Sequence, residues 1–423
     1  MPETPNIRPA IDNLFRHEAG KMVSLLTRIF GAHNLELAED VVQDTLVKAL
    51  EYWKIRGIPD NPSAWMLTVA RNKVLDVLRR ERHHKEFARD TSVLLKSEYS
   101  AGATVDHLFR QHPIEDEQLR MMFVCCHPGI PGEGQVALIL KTLCGFSVAE
   151  IARAFVTNQE NITKRLFRAR EYFRQHQVPF ELPAVEALDD RLARVIEAIY
   201  FLFNEGYNAT HHIHLIRDDM VEEALRLGNL LLGHEATRRP ETFALLSLMC
   251  LQASRLYGRI DSDGNLLLLR DQDRSQWNAE LIDKGRGFLN QASQGTQTSK
   301  YHFEAAIAFE HCIAKTYGDT NWKRILQLYD WLLQLQPNGV VQLNRLIAYA
   351  ALHGIAAALP AMEKLKDDPA LKHYYLLYAT LGDWHAQRKD NATAADYLRQ
   401  ASMLAAAPAE KKFLEGRIAT LMI

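Results

Sequence analysis

Apolar residues recur three and four positions apart along almost the whole chain, and alternation with a period of two is scarce. Such spacing places the apolar side chains on one face of a helix, so the pattern predicts an all-α protein. One segment departs from it: residues 259–277 include the sequence Asp261 to Asn265, which predicts a turn or a short hairpin.

Two interruptions of the helical pattern divide the chain into three parts. A first helical unit covers residues 8–85, and the small, polar stretch after it predicts a linker over 86–114. A second small unit covers residues 115–177 and ends before two prolines. Helices then continue through the third part, residues 184–423.

The last third of the chain carries a weak repeat. Helix pairs are predicted to end at Pro337, Pro369 and Pro408, which are 32 and 39 residues apart. This spacing is near the length of about 34 residues typical of tetratricopeptide (TPR) repeats. An irregular helical array explains the pattern equally well. In either case, stacked helix pairs predict a concave surface suited to a protein or peptide partner.

Composition and charge narrow the class of protein. The 423 residues are 47% hydrophobic and 24% charged, which predicts two to four domains with sizeable cores. The chain has neither an apolar run long enough for a membrane span nor the layout of a signal peptide. Its five cysteines form no CxxC pair, so neither a zinc ribbon nor a disulfide framework is predicted. We also expect no cofactor. A cytoplasmic location fits best.

The first unit contains a predicted helix, AEDVVQDTLVKALEYW, with two distinct faces. Its apolar stripe runs from Leu37, just before this segment, to Trp53 and includes Leu50. Another face carries Asp40, Gln43, Asp44 and Val47. An acidic face beside small apolar groups is suited to docking a basic helix of a partner, although ordinary solvated surface shows the same spacing.

The next helix of the first unit combines aromatic, amide and basic side chains. It is expected to begin with Ser63 as its N-cap, and Trp65 and Asn72 share one stripe. A ring can stack on an unpaired base, an amide can read a base edge, and cations can hold phosphates. A tryptophan in the core is the alternative interpretation. The cations are Arg71, Lys73, Arg79 and Arg80.

The second unit shows the pattern of a helix-turn-helix. Ser147 to Glu150 and Thr157 to Glu160 are two capping boxes, each of which predicts the start of a helix, with a tight turn between them. In the second of these helices the apolar residues share one face. The residues expected inside are Ile162, Leu166, Ala169 and Phe173.

The opposite face of that second helix carries the side chains that a major-groove helix would present to DNA. Glu160, Thr163, Lys164 and Phe167 would meet base edges, while Arg165 and Arg168 on the flanks would mainly meet phosphates. An amphipathic surface helix without a DNA role is the alternative.

These segments resemble the extracytoplasmic-function (ECF) group of sigma factors. AEDVVQDTLVKALEYW and PSAWMLTVARNKVLDVLRRERHH resemble the second conserved region of that family, and NITKRLFRARE is similar to the recognition helix of its fourth region. The resemblance implies that Asp40, Gln43 and Asp44 dock on the β′ clamp helices of RNA polymerase core. It also implies that the helix with Trp65 captures single-stranded DNA at the −10 promoter element. The second helix of the helix-turn-helix would recognise duplex DNA at the −35 element. Thr163 departs from the basic residue that many members have.

The third part resembles the TPR-like extension of one subgroup of that family. The segments RVIEAIYFLFNEGYNAT and LLRDQDRSQWNAELI carry this resemblance, which implies a regulatory role. Asp271, Asp273, Arg274 and Trp277 are expected to form a buried polar network rather than a site.

The sequence is therefore interpreted as that of a sigma factor with a C-terminal regulatory domain. No nucleophile, metal or phosphate-loop pattern predicts an enzyme. The main alternative is a one-component helix-turn-helix regulator whose helical domain senses a ligand or a protein. A helical scaffold for protein partners is a second alternative, and an enzyme within 184–423 has no support beyond a few polar clusters.

Overall fold

The structure is a computed structural model and describes residues 8–81, 114–155, 157–183, 187–209, 216–261 and 265–421. Within these ranges the protein is helical, and one isolated β-bridge joins Ile260 to Leu266 beside the predicted turn. The predicted all-α fold is confirmed. The expected linker lies outside the described ranges except for Ile114, which begins a helix. None of the described helices is long and apolar enough to span a bilayer.

The chain forms two units, Met1–Leu202 and Phe203–Ile423. In the first unit, α1 to α3 form what we call the N-terminal module, and α4 to α7 form the helix-turn-helix module. The helices are α1 (Arg8–Phe30), α2 (Leu35–Arg56), α3 (Pro62–Glu81), α4 (Ile114–Cys125), α5 (Gly132–Thr142), α6 (Val148–Ala154), α7 (Gln159–Gln175) and α8 (Leu188–Tyr207), which contains the boundary.

The two modules of the first unit pack against each other. Glu117 on α4 is fully buried and forms ion pairs with Arg28 of α1 and, at 2.9 Å, with Arg120. Gly20 permits a close approach of α1 to the end of α5, because an added Cβ would lie 2.4 Å from the carbonyl oxygen of Leu143. A buried carboxylate with two arginine partners, together with a backbone contact, makes this a specific interface.

The second unit is an array in which helices that follow one another in sequence pack side by side. Its helices are α9 (Asp218–Leu232), α10 (Pro240–Ala253), α11 (Ala279–Ala292), α12 (Lys300–Ile313), α13 (Trp322–Leu335), α14 (Gly339–His353), α15 (Ile355–Lys364), α16 (Tyr375–Gln387), α17 (Asn391–Leu404) and α18 (Pro408–Leu421).

Small residues allow close helix pairs in this array. An added Cβ on Gly382 of α16 would lie 2.7 Å from Leu398 of α17 and 3.1 Å from the Ala394 carbonyl oxygen. On α10, Ser247 donates a hydrogen bond of 2.8 Å to the carbonyl of Gly285 on α11. The packing therefore depends on backbone approach as well as on apolar burial.

The loop between α10 and α11 reaches helices that are distant in sequence. Arg270 forms an ion pair of 2.9 Å with Asp383 on α16, and Arg417 on α18 pairs with the same carboxylate at 2.6 Å. Nearer the start of the loop, Arg259 donates to Asn208 at 3.1 Å, and Asn208 donates to the buried Glu410 at 3.3 Å. This loop therefore connects the first helices of the array to the last.

The polar cluster expected at residues 271–277 is only partly buried. Arg274 donates hydrogen bonds of 2.8 Å to the carbonyls of His311 and Ala314, so it caps the end of α12, and Trp277 is buried beside it. Asp271 and Asp273 are exposed, which corrects the expectation for these two residues. Both aspartates lie in the loop, where water can solvate a carboxylate, and Asp271 is also 3.9 Å from Arg270.

A half-buried histidine in the array predicts sensitivity to acid. Burial lowers the pKa of His311 to about 3, and the positive charges of Arg255 and Arg274 act in the same direction. In the unfolded chain this histidine takes up a proton near pH 6.5, whereas in the folded chain it stays neutral down to about pH 3. The free energy of unfolding is therefore unaffected by this group above about pH 6.5. Below that pH it falls by about 1.4 kcal/mol per pH unit. Chemical denaturation of the wild type between pH 7 and 5 should show this loss, and the variant His311→Gln should show a shallower slope. Equal slopes would contradict the assignment.

Candidate nucleic-acid interface

The α2 helix buries one face and exposes the predicted docking residues. Val41, Val42 and Trp53 are buried, while Asp40, Gln43 and Asp44 are all exposed. The face also carries exposed apolar side chains, and Val47 lies on it as the sequence predicts. Val47 is 52% exposed, and Leu50, expected in the buried stripe, is 48% exposed. Ala49 and Trp53, on either side of it in sequence, are buried, so Leu50 lies at the edge of the buried face and not within it.

One predicted docking residue pairs with a residue predicted to bind DNA. Asp44 on α2 and Lys73 on α3 form an ion pair of 2.6 Å, in which the aspartate is 67% and the lysine 30% exposed. Asp40 is exposed and forms no ion pair with another described residue. Asp40 is therefore the carboxylate on this face that is most accessible to a basic partner.

The N-cap of α3 differs from the expected one. The helix begins at Pro62, and the Asn61 side chain accepts a hydrogen bond of 3.0 Å from the backbone N–H of Ala64. The expectation of Ser63 as N-cap was wrong, because Pro62 already has the backbone angle of a first helical residue and lacks the N–H that this position leaves unpaired. Asn61 then takes the capping position.

Trp65 belongs to an aromatic cluster rather than to open surface. Its ring stacks on Tyr52 at a centroid distance of 5.4 Å and lies 5.5 Å from Trp53, and its side chain is half-buried. Tyr52 is 48% exposed. The packed and the base-facing interpretations therefore both apply in part: the ring is fixed by its neighbours and retains accessible surface beside Tyr52.

The polar residues of α3 that are predicted to bind DNA are exposed or half-buried where their side chains are described. Asn72 is exposed and accepts a hydrogen bond of 3.2 Å from Arg71. Arg79 is exposed and pairs with Asp76 at 3.3 Å. The side chain of Arg80 lies outside the described residues. Arg71, Asn72 and Arg79 thus lie on the helix that also carries Trp65 and Lys73.

Of the two predicted capping boxes, the first is confirmed. The backbone N–H of Ser147 donates to the Glu150 carboxylate at 2.7 Å, and the N–H of Glu150 donates to the Ser147 hydroxyl at 3.2 Å. The second was displaced by one residue. Asn158 caps α7 by accepting from the N–H of Asn161 at 2.8 Å. Thr157 instead accepts from the Asn161 side chain at 3.1 Å.

The faces of α7 match the sequence pattern. Ile162, Leu166, Ala169 and Phe173 are buried. We call the opposite side the outer face of α7. It consists of Glu160, Thr163, Lys164 and Phe167, all of which are exposed. Because Glu160 does not take part in a capping box, it is free to pair with Lys164, at 2.6 Å.

The two arginines beside the outer face differ in their surroundings. Arg165 is half-buried, forms an ion pair with Glu133 on α5, and lies 5.6 Å from the centre of the Phe155 ring. Arg168 is exposed, and no ion pair joins it to another residue of the described ranges. Only Arg168 is therefore positioned to meet a phosphate without first leaving a protein partner.

Two further arginines of α7 contact α2, which the sequence interpretation did not detect. Arg170 donates to Glu39 at 2.9 and 3.1 Å, and Arg174 lies 3.7 Å from Glu36. Burial raises the pKa of Glu39, although the positive charge of Arg170 opposes the shift. The helix that carries the predicted docking residues is thus also bound to α7.

Comparisons with known proteins agree with this architecture. Residues 14–84, which cover most of the N-terminal module, match the family Sigma-70 region 2. The chain is 36% identical over 343 residues to an uncharacterised protein of Rhizobium meliloti (strain 1021), covering 81% of this chain and 80% of that protein. It is 26% identical over 166 residues to RNA polymerase sigma factor YlaC of Bacillus subtilis (strain 168), covering 38% of this chain and 89% of that protein.

One further family match and a search of solved structures complete the comparisons. Residues 191–293 match a family of unknown function, DUF6596. No solved structure matches the chain significantly.

A helical module with an exposed acidic face, followed by a helix-turn-helix, defines a transcription factor with two candidate surfaces for nucleic acid. With the region 2 match, the chain belongs to the sigma-70 family of RNA polymerase sigma factors and resembles its ECF members. The family assignment made from the sequence is confirmed, and a role in transcription initiation follows from it. The TPR-like character of the extension stays a prediction.

Proposed function

We propose that this chain directs RNA polymerase core to specific promoters and makes or breaks no covalent bond itself. The observation that carries the proposal is the exposed face of α2 with Asp40, Gln43 and Asp44, within the segment that matches sigma-70 region 2. This face would dock on the β′ clamp helices of core. The protein would act in the cytoplasm, where polymerase and promoter DNA are found.

The N-terminal module would capture the melted strand of the −10 element. Trp65 is fixed against Tyr52 with part of its ring accessible, which suits it to stack on an unpaired base. Asn72 is exposed to read a base edge, and the neighbouring cations would hold the backbone. Those cations are Arg71, Lys73, Arg79 and Arg80.

The helix-turn-helix module would read duplex DNA at the −35 element. The outer face of α7 would enter the major groove, where the first residues of a recognition helix contact base edges. Arg168 would bind a phosphate directly. Arg165 would contribute mainly by holding α7 to α5 through Glu133.

The two modules must separate for both elements to be bound at once. The names of the elements place them about 25 base pairs apart, which is about 85 Å at about 3.4 Å per base pair. A packed body of about 200 residues has a radius of gyration of about 16 Å, and is therefore about 40 Å across. We therefore propose that the contacts of Arg28 with Glu117 and of Arg170 with Glu39 are broken in the promoter complex.

The second unit is proposed to be a regulatory domain that binds a protein or peptide on its helical array. Its side-by-side helices and the loop that connects its first and last helices support this role. A segment of 343 residues shared with the rhizobial relative indicates that the second unit accompanies the two modules in both proteins.

Transcription with purified bacterial core polymerase on a pool of genomic promoters tests the proposal. We expect transcripts from a defined subset of promoters when the full chain and core are both present, and none from either alone. The rival proposal, a one-component regulator, expects specific DNA binding by the chain without core. Operator binding without core-dependent transcripts would favour that rival.

Arg168 and Arg165 provide a matched pair of predictions. The change Arg168→Ala should weaken binding of the promoter complex several-fold and lower the slope of log affinity against log salt by about 1, the value for one lost phosphate contact. The change Arg165→Ala should leave that slope nearly unchanged and should lower thermal stability, because it removes the contacts to Glu133 and Phe155. Equal salt slopes for the wild type and both variants would contradict the assignment.

A further inference from the structure

An exposed aromatic side chain lies at the C-terminal end of the outer face of α7. Phe167 is 60% exposed, whereas the apolar residues on the opposite side of the same helix are buried. Lys164 precedes Phe167 by about one turn and pairs with Glu160, one turn earlier still, at 2.6 Å. Phe167 therefore adds an apolar surface to a face that otherwise presents charges.

Thr163 extends this apolar surface by one helical turn. It precedes Phe167 by four residues, so the two side chains are neighbours on the helix. Its hydroxyl donates a hydrogen bond of 2.9 Å to the carbonyl oxygen of Gln159. The proton of this hydroxyl is therefore engaged within the helix, and the methyl group is the part of Thr163 that remains for an apolar contact.

We infer that Phe167 and Thr163 select a thymine in the upstream element by contact with its C5-methyl group. This inference rests on the proposed function. In the major groove only thymine presents a methyl group, and apolar side chains are its usual partners. Phe167 is the ninth of the 17 residues of α7 and shares a face with Lys164, about one turn nearer the N-terminus. It can therefore reach a base edge next to those that the first residues of a recognition helix contact.

Lys164 should select a different base from the same helix. A lysine donates to the acceptors of guanine in the major groove, and the Glu160 carboxylate holds its ammonium group in position. The two side chains therefore predict two independent preferences within one element. Lys164 accordingly provides the matched control for Phe167.

The test uses the full chain with core polymerase and a promoter from the genomic pool whose upstream element is randomised. Sequencing of the bound fragments should show a thymine preference for the wild type that the variant Phe167→Ala loses. Replacing that thymine with deoxyuridine removes only the methyl group and should weaken wild-type binding about fourfold, the worth of one buried methyl group. The same replacement should leave Phe167→Ala unaffected.

Further variants separate this role from a structural one. Thr163→Val keeps the methyl group and should keep the preference, whereas Thr163→Ser should weaken it. Lys164→Ala should lose a preference at another position and keep the one for thymine. Phe167→Leu keeps an apolar side chain and should retain part of the preference.

Three outcomes would overturn the inference that Phe167 selects a thymine. Equal effects of deoxyuridine on the wild type and Phe167→Ala would overturn the inference and leave the proposed function intact. If Phe167→Ala weakens binding to core without DNA and leaves the thymine preference unchanged, Phe167 contacts protein and the inference is overturned. A failure of the wild type to support any core-dependent transcription would overturn both.

Discussion

Reversing the charge of Asp40 should reduce core-dependent transcription by at least about thirtyfold. Asp40 is exposed on the face of α2 proposed to dock on polymerase, and it has no ion pair within the described ranges. Loss of one partner from a hydrogen-bonded charge pair at an interface costs about 2–5 kcal/mol, and about 1.4 kcal/mol is a tenfold change in affinity. The variant Asp40→Arg also places a positive charge against the basic surface expected on the polymerase. The loss of about 2 kcal/mol, or about thirtyfold, is therefore the smallest effect that we expect.

Titration of core polymerase with the labelled full chain measures this effect directly, and the transcript yield at saturating chain separates binding from later steps. Glu415→Arg is the matched control, since Glu415 is an exposed carboxylate on α18 of the second unit. Asp44 is a poorer choice because its reversal also removes the pair with Lys73. Equal affinities of Asp40→Arg and the wild type for core would contradict the docking assignment.

Replacing Gly20 with leucine should separate the two modules of the first unit. An added Cβ would lie 2.4 Å from the carbonyl oxygen of Leu143, and a backbone atom cannot rotate out of the way as a side chain can. Overpacking costs about 1–3 kcal/mol, so about 2 kcal/mol would shift the equilibrium about thirtyfold toward separated modules. The helix itself should not suffer, because glycine is the poorer helix former by about 1 kcal/mol.

Spin labels on α2 and α7 report this separation in the full chain, with the exposed Lys48 and Gln175 replaced by cysteine. We expect a short distance for the wild type and a longer, broader distribution for Gly20→Leu. Gly287→Leu is the control, since a Cβ at Gly287 on α11 would meet nothing within 4 Å. An unchanged distance in Gly20→Leu would show that the contact with Leu143 does not hold the modules together.

The local features of the site were predictable because they depend on residues a few positions apart. The spacing of Ile162, Leu166, Ala169 and Phe173 identified the buried face of α7, and Ser147 with Glu150 identified the start of α6. Errors of one or two residues arose where several polar residues compete for one cap. Asn158 replaced Thr157, and Asn61 replaced Ser63.

Contacts between distant residues were not predictable from the pattern. The ion pairs of Arg165 with Glu133 and of Arg170 with Glu39 join residues 32 and 131 positions apart, and no periodicity signals such a pair. The same holds for Trp65, since its stacking on Tyr52 depends on how α2 and α3 cross. These contacts decide which cationic side chains are accessible to DNA. The sequence therefore identified the helices of the site better than the exposure and the partners of each side chain.

Permanganate probing of unpaired thymines on a core-dependent promoter tests whether this protein opens promoter DNA. We expect reactive thymines near the start site only when the full chain and core are both present. We also expect that Trp65→Ala reduces this reactivity more than it reduces protection of the upstream element. Protection of the same DNA by the chain alone, with no reactive thymines when core is added, would contradict the claim that this protein opens promoters.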